Sequence, residues 1–146
     1  MKLSLPEECR RAIELHSEKT FPEECCGALI GRDHDDGSRE VSEILEIDNT
    51  KNENRERRFL ISPREVFNAE KHASAKGLSV VGIYHSHPDH PSEPSEFDRE
   101  HAMPFWSYVI VSCRAGKADT MQSWQLREDR SRFDEESIED VAVKSS

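Results

Sequence analysis

The stretch LSVVGIYHSHPDHPSEPSEFD, from Leu78 to Asp98, decides the fold that this sequence predicts. Its first part is almost continuously apolar, which is typical of a central strand that is covered on both sides. Pro88 ends that strand, and a proline-rich loop follows. Ser95, with Asp98 three residues later, has the form of a capping box, which marks the start of a helix. The stretch therefore predicts a buried strand, a turn and a short helix over residues 95–103.

Two histidines close the predicted strand. Because side chains alternate between the two faces of a strand, His85 and His87 share one face and Ser86 lies on the other. In α/β sheets, sites form at the carboxyl edge of the strands, and two imidazoles there can hold one metal ion. A catalytic zinc ion takes three protein ligands and leaves a fourth position for water. The candidates for the third ligand are Asp89, His90, Asp98 and His101.

Some of these residues also have explanations without a metal. A capping box accounts for both Ser95 and Asp98, and one carboxylate can only partly serve a cap and a metal. A thiol nucleophile formed by Cys25 or Cys26 with His85 is a further alternative. Nothing in the sequence positions such a pair, so buried structural cysteines are the favoured interpretation.

Helices and strands alternate on either side of this stretch. Apolar residues at helical spacing after Pro6 predict a helix over about residues 5–19. Pro63 and Gly77 mark the start and the end of a second helix over residues 63–77. Predicted strands cover residues 25–32, 39–49, 58–62, 78–87, 106–113 and 119–128, the last towards the edge of the sheet, and residues 49–58 are predicted to be a loop.

This order of elements predicts an α/β fold, a mixed central sheet flanked by helices on both faces. A length of 146 residues fits one domain, which we expect to cover residues 1–134. The acidic residues 135–146 are expected to form a frayed C-terminal tail.

Composition and charge exclude several classes of protein. A formal net charge of −10 argues against nonspecific binding to nucleic acid and against docking to an anionic membrane. No apolar stretch approaches the roughly 20 residues needed to cross a bilayer, and the N-terminus lacks the apolar core of a signal peptide. The four cysteines form no CxxC pair, which indicates reduced thiols in the cytoplasm. A cytoplasmic enzyme, or a protein whose partner has a basic face, fits these properties.

The spacing of the candidate site residues resembles a known signature. His85-x-His87, then seven residues, then Ser95-x-x-Asp98 follow the pattern H-x-H-x7-S-x-x-D of the JAMM (MPN+) metallopeptidases. Upstream, PEECCGALIG supplies Glu24 two residues before a Cys-Gly pair, as in that family. The resemblance is to the compact prokaryotic members, and it implies the MPN/JAMM fold with its cytidine-deaminase-like architecture.

The resemblance, which covers most of residues 5–127, implies a role for each position of the signature. One zinc ion per chain would be bound by His85, His87 and Asp98. Glu24 would be the general base, although the residues alone leave Glu23 an equal contender. Ser95 would donate a hydrogen bond to the developing oxyanion.

The resemblance also implies a substrate class. The bond cleaved would be an amide or isopeptide at the C-terminal Gly-Gly of a small β-grasp protein, either ubiquitin-like or a sulfur carrier. Some members of the family release cysteine from such a carrier. The rival interpretations are a non-catalytic MPN scaffold, which typically lacks the ligand set, and a RadC-like protein associated with DNA, which the acidic charge disfavours. The sequence does not specify an oligomeric state.

Overall fold

A computed structural model describes residues 2–49, 59 and 61–141 of the chain. The elements, in order, are β1 (Lys2–Pro6), α1 (Glu7–Thr20), β2 (Cys26–Asp33), β3 (Arg39–Ile47), α2 (Pro63–Ser74), β4 (Ser79–Pro88), α3 (Glu96–His101), β5 (Ser107–Arg114), β6 (Lys117–Leu126) and β7 (Phe133–Val141). Among the helices of these described ranges, none combines the length and the apolar character needed to span a bilayer.

The strands form one mixed sheet that closes on itself in the order β1-β3-β2-β4-β5-β6-β7. The strand β1 runs parallel to both β3 and β7, and β4 runs parallel to β5. The other neighbouring pairs are antiparallel. The predicted mixed sheet is therefore confirmed. The expected layer of helices on each face needs correction, because the pairing of β1 with β7 turns the sheet into a closed barrel.

The main core of the barrel draws on every strand and on α1. Its buried apolar residues, with the partly buried Ile138 packed against them, are Leu3, Leu5, Cys9, Ile13, Cys25, Leu29, Val41, Val81, Tyr84, Val109, Val111 and Met121. The helix α2 contributes Ala69 to a second cluster, together with Cys26, Ala28 and Ile47. The helix α1 thus packs into the main core of the barrel, whereas α2 packs into a separate apolar cluster.

The strand β4 lies between β2 and β5, and all of its residues from Val81 to Pro88 are buried. Gly82 allows β5 to approach it closely. A Cβ atom at this position would lie 2.1 Å from the backbone oxygen of Ser107, a contact that real side chains do not make. The structure confirms that the continuous apolar run forms a central strand, because residues on both of its faces are buried.

The two later helices begin where the sequence predicts. Ser62 caps α2 by accepting a hydrogen bond from the backbone N–H of Glu65, and Pro63 occupies the first turn. Gly77, in the turn that follows α2, has a φ of +69°, which favours glycine. These signals are local, so they can be read before any tertiary contact is known.

The N-terminus differs from the prediction. The helix α1 begins at Glu7 instead of residue 5, and the strand β1 precedes it. Leu3 and Leu5 alternate into the core from this strand. A five-residue strand leaves a weak periodic signal, and the partners of β1 lie far away in the sequence.

The C-terminus requires a larger correction. The prediction of a frayed tail over residues 135–146 is wrong for residues 135–141. These residues belong to β7, which lies between β1 and β6. Buried Glu136 accepts hydrogen bonds from Ser123 Oγ and Gln125 Nε2. For the same reason β6 is not near an edge of the sheet. Residues 142–146 lie outside the described residues.

The structure describes only part of the segment before α2. Of the predicted loop over residues 49–58, only Asn49 lies among the described residues. Of the predicted strand over residues 58–62, Phe59, Ile61 and Ser62 are described, and none of the three belongs to a strand.

The closure of the barrel predicts a sharp difference between two truncations. Removing residues 133–146 deletes β7 and leaves β1 and β6 each with one neighbouring strand instead of two. We expect the free energy of unfolding to fall by more than about 3 kcal/mol, since burial of one large apolar side chain contributes about 1.5–3 kcal/mol. Removing only residues 142–146 is the control and should change stability little. Equal denaturation midpoints for the two truncations would contradict the structural role given to β7.

Candidate metal centre

The pairing of β2 with β4 brings the first parts of the site together. These strands are antiparallel, with Cys26 of β2 opposite His85 of β4. The pairing continues beyond β2, because Ser86 N–H donates to Cys25 O at 3.2 Å and Cys25 N–H donates to Ser86 Oγ at 2.8 Å. The chain just before β2 therefore runs beside the carboxyl end of β4, and Glu24 lies next to the two histidines.

The helix α3 supplies a second carboxylate to the same place. Asp98 Oδ2 lies 3.1 Å from His87 Nε2, and Asp98 Oδ1 lies 3.7 Å from His85 Nε2. His87 Nδ1 lies 2.9 Å from the carbonyl oxygen of Pro91 and donates its proton to it. The Nε2 atoms of both imidazoles therefore face one carboxylate.

Two buried polar atoms of the cluster lack a hydrogen-bond partner among the described residues. These atoms are Glu24 Oε1 and His85 Nδ1, which lie 3.5 Å apart. Both residues are almost fully inaccessible to solvent. Leaving such atoms unpaired is costly, so the cluster has the character of a site that takes up a further group.

The donor set fits a metal ion. Glu24, His85 and His87 can each present one donor atom such that these atoms all lie within 4.8 Å of one another. The Asp98 carboxylate contacts both imidazoles. Two imidazole nitrogens with carboxylate oxygens form a donor set that zinc accepts in proteins.

The electrostatics of the cluster favour its charged forms. Burial opposes protonation of His87, but the hydrogen bond and the charge of Asp98 outweigh it and raise the pKa of His87. Burial likewise works against ionisation of Asp98. The electrostatic interaction with His85, together with the hydrogen bond and charge of His87, holds the pKa of Asp98 well below its usual range. Asp98 is therefore a buried anion that requires cationic neighbours.

Ser95 and Asp98 form the capping box that the sequence predicts. Ser95 Oγ accepts a hydrogen bond from the Asp98 N–H at 3.1 Å, and Ser95 N–H donates to Asp98 Oδ2 at 2.9 Å. This arrangement fixes the carboxylate that faces the histidines. Ser95 also lines one cleft together with Glu24 and His87.

The other candidates have different surroundings. Glu23 is exposed, whereas Glu24 is buried at the histidines. Asp89 Oδ1 accepts a hydrogen bond from the Ala115 N–H, in a turn after β5. His101 is exposed, and its Nδ1 lies 2.9 Å from Phe97 O. His90 is also exposed, although it lines the same cleft as Glu24.

The cysteines do not have the character of nucleophiles. Burial is the main cause that raises the pKa of the Cys25 thiol to about 12. Burial also raises the pKa of the Cys26 thiol, by a larger amount. Cys26 Sγ donates a hydrogen bond to Ile47 O. Such thiols stay protonated at neutral pH, so the buried structural interpretation fits them.

Sequence reasoning missed two contacts that shape the site. The ring of Phe59 stacks on His85, with ring centroids 4.4 Å apart and the planes inclined by 27°. Phe59 also lines an apolar cavity of about 450 Å³ that opens at His85 and Asp98. The other missed contact is the Pro91 carbonyl on His87. Neither leaves a signal in the sequence, because a stacking partner and a backbone acceptor are specified by the fold.

The same site signature belongs to a recognised domain family. The family model for prokaryotic homologs of the JAB domain (Prok-JAB) matches residues 6–127. The chain belongs to this family. The resemblance seen in the sequence is thereby confirmed, and the match covers every element from α1 to β6.

Two relatives are similar to this Prok-JAB chain over most of its length. It is 31% identical to the desampylase of Haloferax volcanii over an alignment of 128 residues. This alignment covers 84% of this chain and 88% of that protein. It is also 31% identical over 108 residues to a probable TtuB-protein conjugate cleaving protease of Thermus thermophilus, over 74% of this chain and 68% of that protein.

A solved structure supports the fold assignment. The JAB1/MPN domain protein of Archaeoglobus fulgidus superimposes with a TM-score of 0.55 and 19% sequence identity, over 94% of this chain and 98% of that protein. At this identity the likeness concerns the fold alone. The architecture is therefore the JAB/MPN fold, a mixed sheet with few helices.

Proposed function

We propose that this Prok-JAB protein is a zinc-dependent metallopeptidase that cleaves the amide bond after the C-terminal Gly-Gly of a small β-grasp protein, either ubiquitin-like or a sulfur carrier. The observation that carries the proposal is the buried convergence of Glu24, His85, His87 and Asp98 at the end of β4. Two relatives whose names describe conjugate cleavage and desampylation support it.

We assign the zinc ligands to His85, His87 and Asp98. The Asp98 carboxylate faces the Nε2 atoms of both histidines and is held by the backbone N–H of Ser95. Because its pKa is depressed, it stays ionised, as a ligand must. A zinc ion held here would polarise the scissile carbonyl and acidify a water molecule.

Glu24 is proposed as the general base. A base needs an oxygen that is not committed to another donor, and no described group hydrogen-bonds to Glu24 Oε1. Glu24 lies in the cluster and lines a cleft with His87 and Ser95, so its carboxylate can take a proton from an attacking water there. The same carboxyl group can then return the proton to the leaving amine.

Ser95 is proposed to stabilise the developing oxyanion. Its hydroxyl oxygen accepts from the Asp98 N–H, which leaves its own proton free to be donated into the cleft. The cap therefore orients the hydroxyl and does not compete with the catalytic role. A fixed donor of this kind acts only when charge develops on the carbonyl oxygen.

The surroundings of the cluster support an extended substrate. The apolar cavity beside His85 and Asp98 is lined by aromatic side chains that include Phe97, Trp106 and Tyr108. A Gly-Gly tail can lie close to the metal ligands, because glycine brings no side chain to the narrow approach. Release of a terminal cysteine from a sulfur carrier would be one form of this reaction.

Two other functions fit the site less well. A scaffold that only binds partners does not require two histidines and two carboxylates buried together. A RadC-like role on DNA conflicts with the net charge of −10. Zinc analysis and the carrier assay described below distinguish both from a peptidase.

The ligand assignment predicts which variants lose zinc. Wild-type protein should carry about one zinc ion per chain, and His85→Ala, His87→Ala and Asp98→Asn should lose it. Glu24→Gln should keep it, because a base is not a ligand. His90→Ala is the control, since it changes an exposed histidine of the same cleft. Zinc retained in Asp98→Asn but lost from Glu24→Gln, as measured by elemental analysis, would show that Glu24 is the ligand.

The dual role of Ser95 can be separated by a matched pair of caps. Ser95→Ala and Ser62→Ala each remove an N-cap hydroxyl, so each should lower the free energy of unfolding by about 1 kcal/mol. Only Ser95→Ala should slow turnover, by about 10²–10³-fold, since Ser62 caps α2 outside the site. Equal rates for the two variants under conditions where both are folded would restrict Ser95 to capping.

The substrate assignment predicts a preference for an intact carrier. A β-grasp protein ending in Gly-Gly plus one added residue should be cleaved faster than a free peptide with the same last residues, because the globular part contributes binding energy that orients the bond. Glu24→Gln should reduce the rate by about 10²–10⁴-fold, and Glu23→Gln should leave it unchanged. Mass spectrometry should detect the released residue. Equal rates on carrier and peptide would remove the carrier from the proposal.

A further inference from the structure

The loop between β4 and α3 carries a backbone group that acts on the site. The Pro91 carbonyl oxygen accepts the proton on His87 Nδ1 at 2.9 Å. This contact leaves Nε2 as the nitrogen that faces Asp98. For a metal-binding histidine, the partner of the second ring nitrogen sets both the ring orientation and the tautomer. The position of one carbonyl group therefore matters for the ligand.

Pro91 does little to hold its own carbonyl in place. Proline has no N–H to donate, so its backbone depends on the neighbouring residues. On the preceding side, Ser112 Oγ of β5 donates to His90 O at 2.6 Å. On the following side stands Ser92, which is almost fully inaccessible to solvent although it lies in a polar, proline-rich loop.

Ser92 is held by three side chains of β6. Its hydroxyl donates to Gln122 Oε1 at 2.7 Å and lies 2.9 Å from Thr120 Oγ1. A serine hydroxyl has a single proton, so the Thr120 hydroxyl donates in that second contact. The carbonyl of Ser92 accepts the indole N–H of Trp124 at 2.9 Å. The three partners are two residues apart along β6, so their side chains lie on the same face of the strand.

We propose that Ser92 is a positioning residue for the metal centre, a role that rests on the proposed zinc function. By anchoring the loop to Thr120, Gln122 and Trp124, it keeps the Pro91 carbonyl on Nδ1 of His87. The barrel wall thus controls the orientation of a ligand whose own hydrogen bonds, to Pro91 and Asp98, do not involve β6. This gives a buried hydroxyl outside the signature a defined effect on metal affinity.

The test compares Ser92→Ala with Ser123→Ala. Ser123 is also buried on β6, but its hydroxyl donates to Glu136 and not to the loop. Ser92→Ala loses two side-chain hydrogen bonds and Ser123→Ala loses one, so both variants should melt at a lower temperature. In metal-free protein, nitrogen-15 NMR should show the Nδ1 proton of His87 in wild type and Ser123→Ala, and its loss in Ser92→Ala. Competition with a chelator should show zinc bound about 10–100-fold more weakly by Ser92→Ala alone.

Trp124→Phe is the second variant, in case Ser92→Ala does not fold. It removes the indole donor to the Ser92 carbonyl and keeps a smaller aromatic ring on β6. It should weaken the His87 signal and zinc binding in the same direction. A His87 signal and a zinc affinity that match Ser123→Ala in every folded variant would overturn the proposal. A wild-type protein with the His87 signal but without zinc binding would overturn the zinc function and leave the positioning role standing.

Discussion

The antiparallel pairing of β2 with β4 is the constraint on which the site depends. With Cys26 opposite His85, the residues just before β2 must run beside the carboxyl end of β4. The pairing of β4 with β5 is parallel, and a parallel pair needs a crossover connection. That crossover carries α3, and α3 returns Asp98 to the strand end. Two strand pairings therefore deliver both carboxylates to the same two histidines.

Burying such a cluster carries an unfavourable desolvation free energy. Charged groups removed from water require partners, and each partner here is itself held in place. Asp98 is fixed by the cap of α3, and His87 by a backbone carbonyl. Glu24 and His85 each retain one atom without a hydrogen-bond partner among the described residues. The cost of removing these two atoms from water is therefore not offset at the place where chemistry is proposed. Unsatisfied buried groups of this kind are typical of functional sites and not of structural cores.

The two sides of the cluster differ in a way that suits a peptidase. An apolar cavity with aromatic walls opens at His85 and Asp98, and a more polar cleft contains Glu24 and Ser95. A substrate lying across the cluster would have its carbonyl near the ligands and its leaving amine near the base. Membership of the Prok-JAB family, with a desampylase and a conjugate-cleaving protease among the similar proteins, agrees with this arrangement.

Local sequence determined much of the fold around the site. The apolar run of β4 and the two caps, Ser62 and Ser95, are set by neighbours within a few residues, so they could be predicted. The shared face of His85 and His87 follows from strand geometry alone. The choice of Glu24 over Glu23 came from the family signature and not from any local property.

Tertiary structure decided what depends on distant partners. β1 and β7 pair with each other across the length of the chain, so the closed barrel and the ordered C-terminal strand left no local signal. The same is true of the Phe59 ring on His85 and of the anchoring of Ser92 by β6. Caps and alternation act over a few residues and can be read in sequence. Strand closure, burial and the orientation of a ligand arise only when remote segments meet.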